Sequence, residues 1–211
     1  MKIRKKRGFT IVEMLMVIAV LAVLVGIVST AATAVIRKSR IRKNEALRAA
    51  LQTGIATYYQ REGFWPPGEN GFIQNLTSKG LDSKYSESGV QPLNEEGYDE
   101  LMSFLVVNSL NASGNRVMDV SGFTAVRKSA TAAKDIDGQP KCHGEEVKSW
   151  VAKLMAANAR GSMPKASEMT FGYSNSEKGY FRRFIIKYNA KADNVTVEFP
   201  KKPDGSDDDD K

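Results

Sequence analysis

Polarity along the chain changes most abruptly near its start. Lys2, Arg4, Lys5, Lys6 and Arg7 run into Gly8 and Phe9, and from there to Ile36 the only charge is Glu13. Met14–Val28 is apolar or glycine throughout. About 20 apolar residues already carry a helix across a bilayer core, so the N-terminus is predicted to meet a membrane. Beyond a basic collar over Arg37–Lys43, the residues Ala46, Leu47, Ala50, Leu51, Ile55, Tyr58 and Tyr59 recur at helical spacing. No proline intervenes before Pro66, and Gly63 is placed to stop the helix. One helix over Phe9–Glu62 follows, roughly 80 Å long at 1.5 Å per residue, with Gly26 and Gly54 as points of local loosening. Its first half is apolar all round, for lipid or other subunits. Its second half carries one apolar stripe and needs a domain to pack on.

The remainder alternates between helical and strand-like patterns. Gly68–Gln91 is rich in Gly, Ser, Asn and Lys and reads as a loop. Asn94 is placed to cap a helix with Glu95 and Glu96 in its first turn and Tyr98, Leu101, Met102, Leu105 and Val106 on its apolar face. Two short strand-like pieces, Arg116–Val120 and Phe123–Arg127, flank Ser121-Gly122. Val147, Trp150, Val151, Leu154 and Met155 form a second helical stripe that ends near Gly161. The period then shortens. Met169–Ser174, Tyr180–Tyr188 and Asn194–Phe199 are rich in aromatic and β-branched residues and are separated by turn-like segments, with imperfect alternation around Phe184 that allows a bulge. Helices followed by antiparallel strands give an α+β head.

Charge and cysteine narrow the class. The formal charge is +7, but removing the five positive charges before Phe9 leaves +2, so the basic excess gives no support to nucleic-acid binding. At 211 residues, one domain remains beyond the apolar segment. Cys142 is the only cysteine, so no intramolecular disulfide forms. Cys142 beside His143 is too small a set for a zinc site. No phosphate loop, dinucleotide fingerprint or nucleophile elbow occurs, and the chain is not expected to be an enzyme. Residues 203–211 read as disordered by composition. Their end, Asp207–Lys211, matches an enteropeptidase recognition sequence and is either tag-derived or a native acidic tail.

Lys6-Arg7-Gly8-Phe9-Thr10-Ile11-Val12-Glu13 closely resembles the type III signal of type IV prepilins and of the pseudopilins of type II secretion. The resemblance implies that a prepilin peptidase cuts after Gly8, that Phe9 becomes the N-methylated first residue, and that Glu13 answers the N-terminal amine of a neighbouring subunit. Such a pair fixes register, because an unpaired buried member is costly. One subunit alone is then expected to leave both charges unsatisfied. Tyr58-Tyr59-Gln60-Arg61-Glu62-Gly63-Phe64-Trp65-Pro66-Pro67 is similar to the junction that ends the long helix in major pseudopilins. Asp135-Ile136-Asp137-Gly138 only echoes that family's aspartate-tryptophan-glycine motif, without the tryptophan.

What the resemblance implies is therefore a pilin-like α+β fold with a long N-terminal helix, membrane-spanning in its first half and packed in its second on a C-terminal antiparallel sheet. It divides the chain into a cleaved leader over 1–8, an assembly helix over 9–36, a soluble helix half over 37–62, a head over 63–202 and the tail. The expected function is a structural subunit of a type II secretion pseudopilus or related filament. Expected partners are prepilin peptidase, other copies and companion subunits, an inner-membrane assembly platform and the lipid bilayer. The expected location is the bacterial inner membrane, crossed once, with the head in the periplasm or outside. Charge cannot orient the helix, because five Lys/Arg flank each end and the positive-inside rule ties. Major pseudopilins often hold calcium. Asp135 and Asp137 are the best local ligands here, but they lack the later oxygens a calcium loop needs, so a solvated turn is preferred and no cofactor is expected. The competing readings are an adhesive or motility pilin, an uncleaved signal anchor, and an exported binding protein released by signal-peptide cleavage after Ala34, in Ala32-Thr33-Ala34.

Overall fold

The computed structural model describes residues 10–110, 117–134, 139–158, 168–175 and 178–200, with backbone alone for 28–31 and 153–158. The chain divides into two compact units, Met1–Ser39 and Arg40–Lys211. The long helix α1, Ile11–Glu62, is continuous through both Gly26 and Gly54. At Gly54 a side chain would sit 2.9 Å from Met118 Sδ, so the glycine makes room for a head residue and does not loosen the helix. Gly63 ends the helix at φ +80, its N–H bonded to Tyr59 O at 2.8 Å, a conformation that costs glycine little.

Among the described residues of the first unit, nothing covers the apolar helix. Its most apolar window has a mean hydropathy of 3.0 and no part of it is buried. It is long and apolar enough to cross a bilayer.

The second unit is an α+β head built on α1 from Arg40 onward. Leu47, Leu51, Ile55 and Tyr58 enter its core, as the stripe predicts. Two antiparallel sheets receive them. β1 (Val90–Pro92), β6 (Ile185–Asn189) and β7 (Asn194–Glu198) form one in the order β1-β6-β7. The other runs β3-β2-β4-β5, from β3 (Glu145–Glu146), β2 (Thr124–Arg127), β4 (Met169–Ser174) and β5 (Phe181–Arg182). α3 (Glu95–Leu110) is capped as predicted, with Gly97 N donating to Asn94 Oδ1 at 2.8 Å. Its apolar face is buried. α4 (Val147–Asn158) buries Val147 and Trp150, while Gly161 lies outside the described residues.

Three further expectations are corrected. The loop over Gly68–Gln91 contains α2 (Phe72–Lys79), which buries Ile73 and Leu76, then a 3₁₀ turn at Ser83–Tyr85 and the start of β1. Two buried residues in eight were too few to stand out against a polar composition. Residues 117–120 are not a strand, although Val117, Met118 and Val120 are buried. Local bonds replace a ladder there, with Ser121 N donating to Asp119 Oδ1 and Phe123 N to Val120 O. The third concerns Tyr180–Tyr188, which is two strands in different sheets, broken at Arg183-Phe184. Phe184 N donates at 3.4 Å to the hydroxyl of Tyr98, which itself donates to Phe171 O at 2.7 Å. A buried phenol thus takes the place of a ladder partner where the chain changes sheet. Burial pushes its pKa upward.

Candidate assembly site

The helix begins with a reciprocal cap. Thr10 N donates to Glu13 Oε2 at 2.8 Å and Thr10 Oγ1 to the same oxygen at 3.0 Å, while Glu13 N donates to Thr10 Oγ1 at 3.3 Å. Met14 N closes the first turn on Thr10 O. This is a capping box, in which a hydroxyl and an acid three residues apart satisfy each other's backbone donors. Helix termini otherwise leave four such donors unpaired. The cap supplies Glu13 with hydrogen bonds but not with a counter-charge. Its carboxylate is hydrogen-bonded within its own chain, although no cation among the described residues neutralises it. The signal was legible, since Thr-x-x-Glu ahead of an apolar run is a helix-start pattern. Gly8 and Phe9 lie outside the described residues.

Past the cap, Ile11, Val12, Leu15, Met16 and Val17 are each more than half exposed. Their neighbours on every face are exposed too. An apolar surface of this extent on a described chain marks contact with lipid or with other protein.

The head grips its own stretch of α1 through polar bonds that sequence reasoning missed. Gln52 Nε2 donates to Val195 O at 2.5 Å, and Val197 N donates to Gln52 Oε1 at 2.6 Å. One turn earlier, Arg48 reaches Val197 O at 3.3 Å. A side-chain amide has the donor and acceptor of a peptide, so Gln52 stands beside β7 as a further strand would. Nothing in the local sequence pairs it with a residue 143 positions away. Asp193, at φ 43 in the β6–β7 turn, accepts from Tyr59 OH, Trp65 Nε1 and Tyr188 OH at 3.1, 3.3 and 3.1 Å. Tyr59 and Trp65 stack with centroids 4.0 Å apart. The aromatic–proline junction over Tyr58–Pro67 thus ties the helix end to the last hairpin.

A second polar cluster joins α3 to the sheet change. Thr170 Oγ1 donates to Asp99 Oδ1 at 2.5 Å, and Arg183 Nε lies 3.7 Å from the same oxygen. Arg183 also approaches Glu95 at 3.4 Å, and Lys134 reaches Glu95 at 2.5 Å. The hydrogen bond from Lys134 leads the causes that lower the Glu95 pKa. Arg183 and Asp99 are nearly buried, so each charge needs the other.

Asp135 and Asp137 lie outside the described residues. Among the described residues, no group of three or more His, Cys, Asp or Glu is placed to hold a metal ion. His143 Nδ1 faces Gly179 O at 3.1 Å, and burial pushes the Cys142 thiol up.

With this geometry in place, comparison with known proteins is specific to one end of the chain. Residues 3–29 match the family model described as the prokaryotic N-terminal methylation motif. The chain carries the type IV pilin-like prepilin signal. That signal implies processing by prepilin peptidase and assembly with other pilin-like subunits. No curated protein and no solved structure matches the chain.

Proposed function

We infer that this chain is a structural subunit of a pilus-like filament, of the type II secretion pseudopilus kind. It is trimmed after Gly8, methylated on Phe9 and inserted in the inner membrane with its head outside. It then packs helix to helix with other copies and companion subunits. The observation that carries the reading is the apolar half of α1, uncovered among the described residues and overlapped by the matched methylation motif. A helix of this kind is stable only in lipid or among other helices.

Glu13 is the residue on which assembly turns. Its Oε2 is held by Thr10, and its charge awaits the amine that cleavage after Gly8 creates on a neighbour. Glu13→Gln keeps a group able to complete the capping box but removes the charge, whereas Glu13→Ala removes both. Both variants insert and are cut normally, and neither enters filaments. Normal filament yield from Glu13→Gln would show that the acid serves only as a cap. Sequencing the mature N-terminus tests the reading as a whole. Methylated Phe9 supports it, and a chain starting at Val35 overturns it in favour of signal-peptide cleavage.

The preference for secretion over a surface pilus rests on the Tyr58–Pro67 resemblance and on Cys142 having no second cysteine to pair with. Deleting the gene is expected to abolish enzyme secretion while leaving surface fibres intact. The reverse phenotype overturns that preference.

A further inference from the structure

One short stretch of the head carries chemistry that filament assembly does not use. Asn70-Gly71 is the only Asn-Gly pair in the sequence, and it stands in the turn that leads into α2. The Asn70 side chain is exposed, does not cap α2 and makes no hydrogen bond among the described residues. Asn44, Asn75, Asn94, Asn108, Asn175 and Asn189 are each tied through the side-chain amide. Asn194 is untied as well, but it is fixed in the β6–β7 ladder and followed by the β-branched Val195. Gly71 is imposed by packing, since a side chain there would run into the Pro67 ring. The fold therefore sets the least shielded kind of peptide nitrogen beside an asparagine whose side chain is free to react.

Asparagine is thermolabile because the following peptide nitrogen can attack its side chain. We propose that Asn70 is a self-deamidating site and that its isoaspartate form loosens the start of α2. Gly71 N gives up its proton to water and attacks Asn70 Cγ. The Cγ–Nδ2 bond breaks, ammonia leaves and a succinimide ring closes. Water then opens the ring on either side, yielding aspartate or isoaspartate. Only water is consumed and only ammonia is released. Gly71 N donates to Gly68 O at 3.0 Å, so this turn must open before the attack. The Asn70 carbonyl accepts from Asn75 Nδ2 at 3.0 Å. In isoaspartate the main chain runs through the former side chain, and that carbonyl becomes a carboxylate branching from it. The bond to Asn75 is thereby displaced. The new charge falls in a cavity of about 560 Å³ between α2 and α3, which Asn70 lines together with Glu96 and Glu100. Repulsion among these carboxylates opposes the seam in which Phe72 packs against Gly97.

The test incubates the full chain in detergent in mildly alkaline buffer and follows residue 70 by peptide mass mapping. Aspartate and isoaspartate accumulate there, faster as the pH is raised, because the attacking nitrogen must lose its proton. The rate exceeds that at any hydrogen-bonded asparagine by ~10-fold, about the worth of one side-chain hydrogen bond. Asn70→Gln, which needs a larger ring, stays intact at that position. Asn70 is exposed, so the variant keeps the parent's thermal midpoint. Hydrogen exchange across Phe72–Lys79 rises in step with the isoaspartate. If Asn70 is still intact when the urea-unfolded chain has converted, the turn protects it and the proposal is overturned. Equal conversion at Asn194 or at a hydrogen-bonded asparagine also overturns it. Isoaspartate without faster exchange in α2 defeats the proposed effect on that helix.

Discussion

Replacing Gln52 by leucine tests whether a single side chain holds the head's own stretch of α1 to β7. Leucine keeps the size and helix propensity of glutamine but can neither donate to Val195 O nor accept from Val197 N, which now bond to it at 2.5 and 2.6 Å. Both peptide groups face away from β6, and both valine side chains are buried on the core side. Each lost bond therefore leaves a backbone group facing hydrocarbon. A backbone group left unpaired costs ~1–3 kcal/mol, toward the lower end where water can reach it. Gln52 is half-buried, so water recovers part of the loss, and ~2–3 kcal/mol remains for the two together. For a domain of this size that is roughly a 5–10 °C fall in unfolding midpoint. The assay is thermal unfolding of the full chain in detergent, read by tryptophan fluorescence, together with hydrogen exchange at the Val197 amide. The substitution Gln52→Glu should be at least as damaging, because a carboxylate would face the Val195 carbonyl. An unchanged midpoint with unchanged Val197 exchange would refute the reasoning and reduce the seam to apolar packing alone.

Other outcomes follow from the same geometry. Asp193→Ala removes the acceptor shared by Tyr59, Trp65 and Tyr188, and the Tyr59 phenol, now held high chiefly by its bond to Asp193, returns toward its ordinary range in an ultraviolet titration; an unmoved Tyr59 would disprove the link. Glu95 has a lowered pKa, so its contribution is full above its unfolded value of ~4.3 and is lost as pH falls through the folded value. Urea midpoints of wild type and Glu95→Gln should thus differ at neutral pH and converge in acid, and a gap constant with pH counts against the pair with Lys134. Cys142, its thiol raised by burial, should alkylate more slowly than free cysteine at neutral pH. Equal rates would contradict that environment.

The elements legible in the sequence were those with a sustained period. α1, the face of α3, the start of α4 and β4 follow from spacing alone, because each presents one apolar side to one core. α2 was hidden because only Ile73 and Leu76 are buried in it. The break at Arg183-Phe184 was hidden for a different reason. Its cause is Tyr98, a residue on another element, and no window around Phe184 contains it. Asp99 likewise reads as an exposed helix acid until Arg183 and Thr170 are brought to it. The site divides the same way. Thr10 and Glu13 are three residues apart, so their pattern is local, whereas Gln52 and Asp193 act across most of the head.

The closure of the sheet edges bears on the filament assembly proposed for this molecule. β7 is covered by Gln52 and Arg48, and the β5 edge is bonded by the Cys142–His143 segment through Phe181 N and Cys142 O. β1 is three residues long and ends in proline, and β3 is two residues that pass directly into α4. An open strand edge is a template for cross-β growth, the tightest and least reversible way for a protein to form a fibre. Blunting all four edges of the described sheets removes that route. In the filament proposed above, polymerisation is thereby left to the helices.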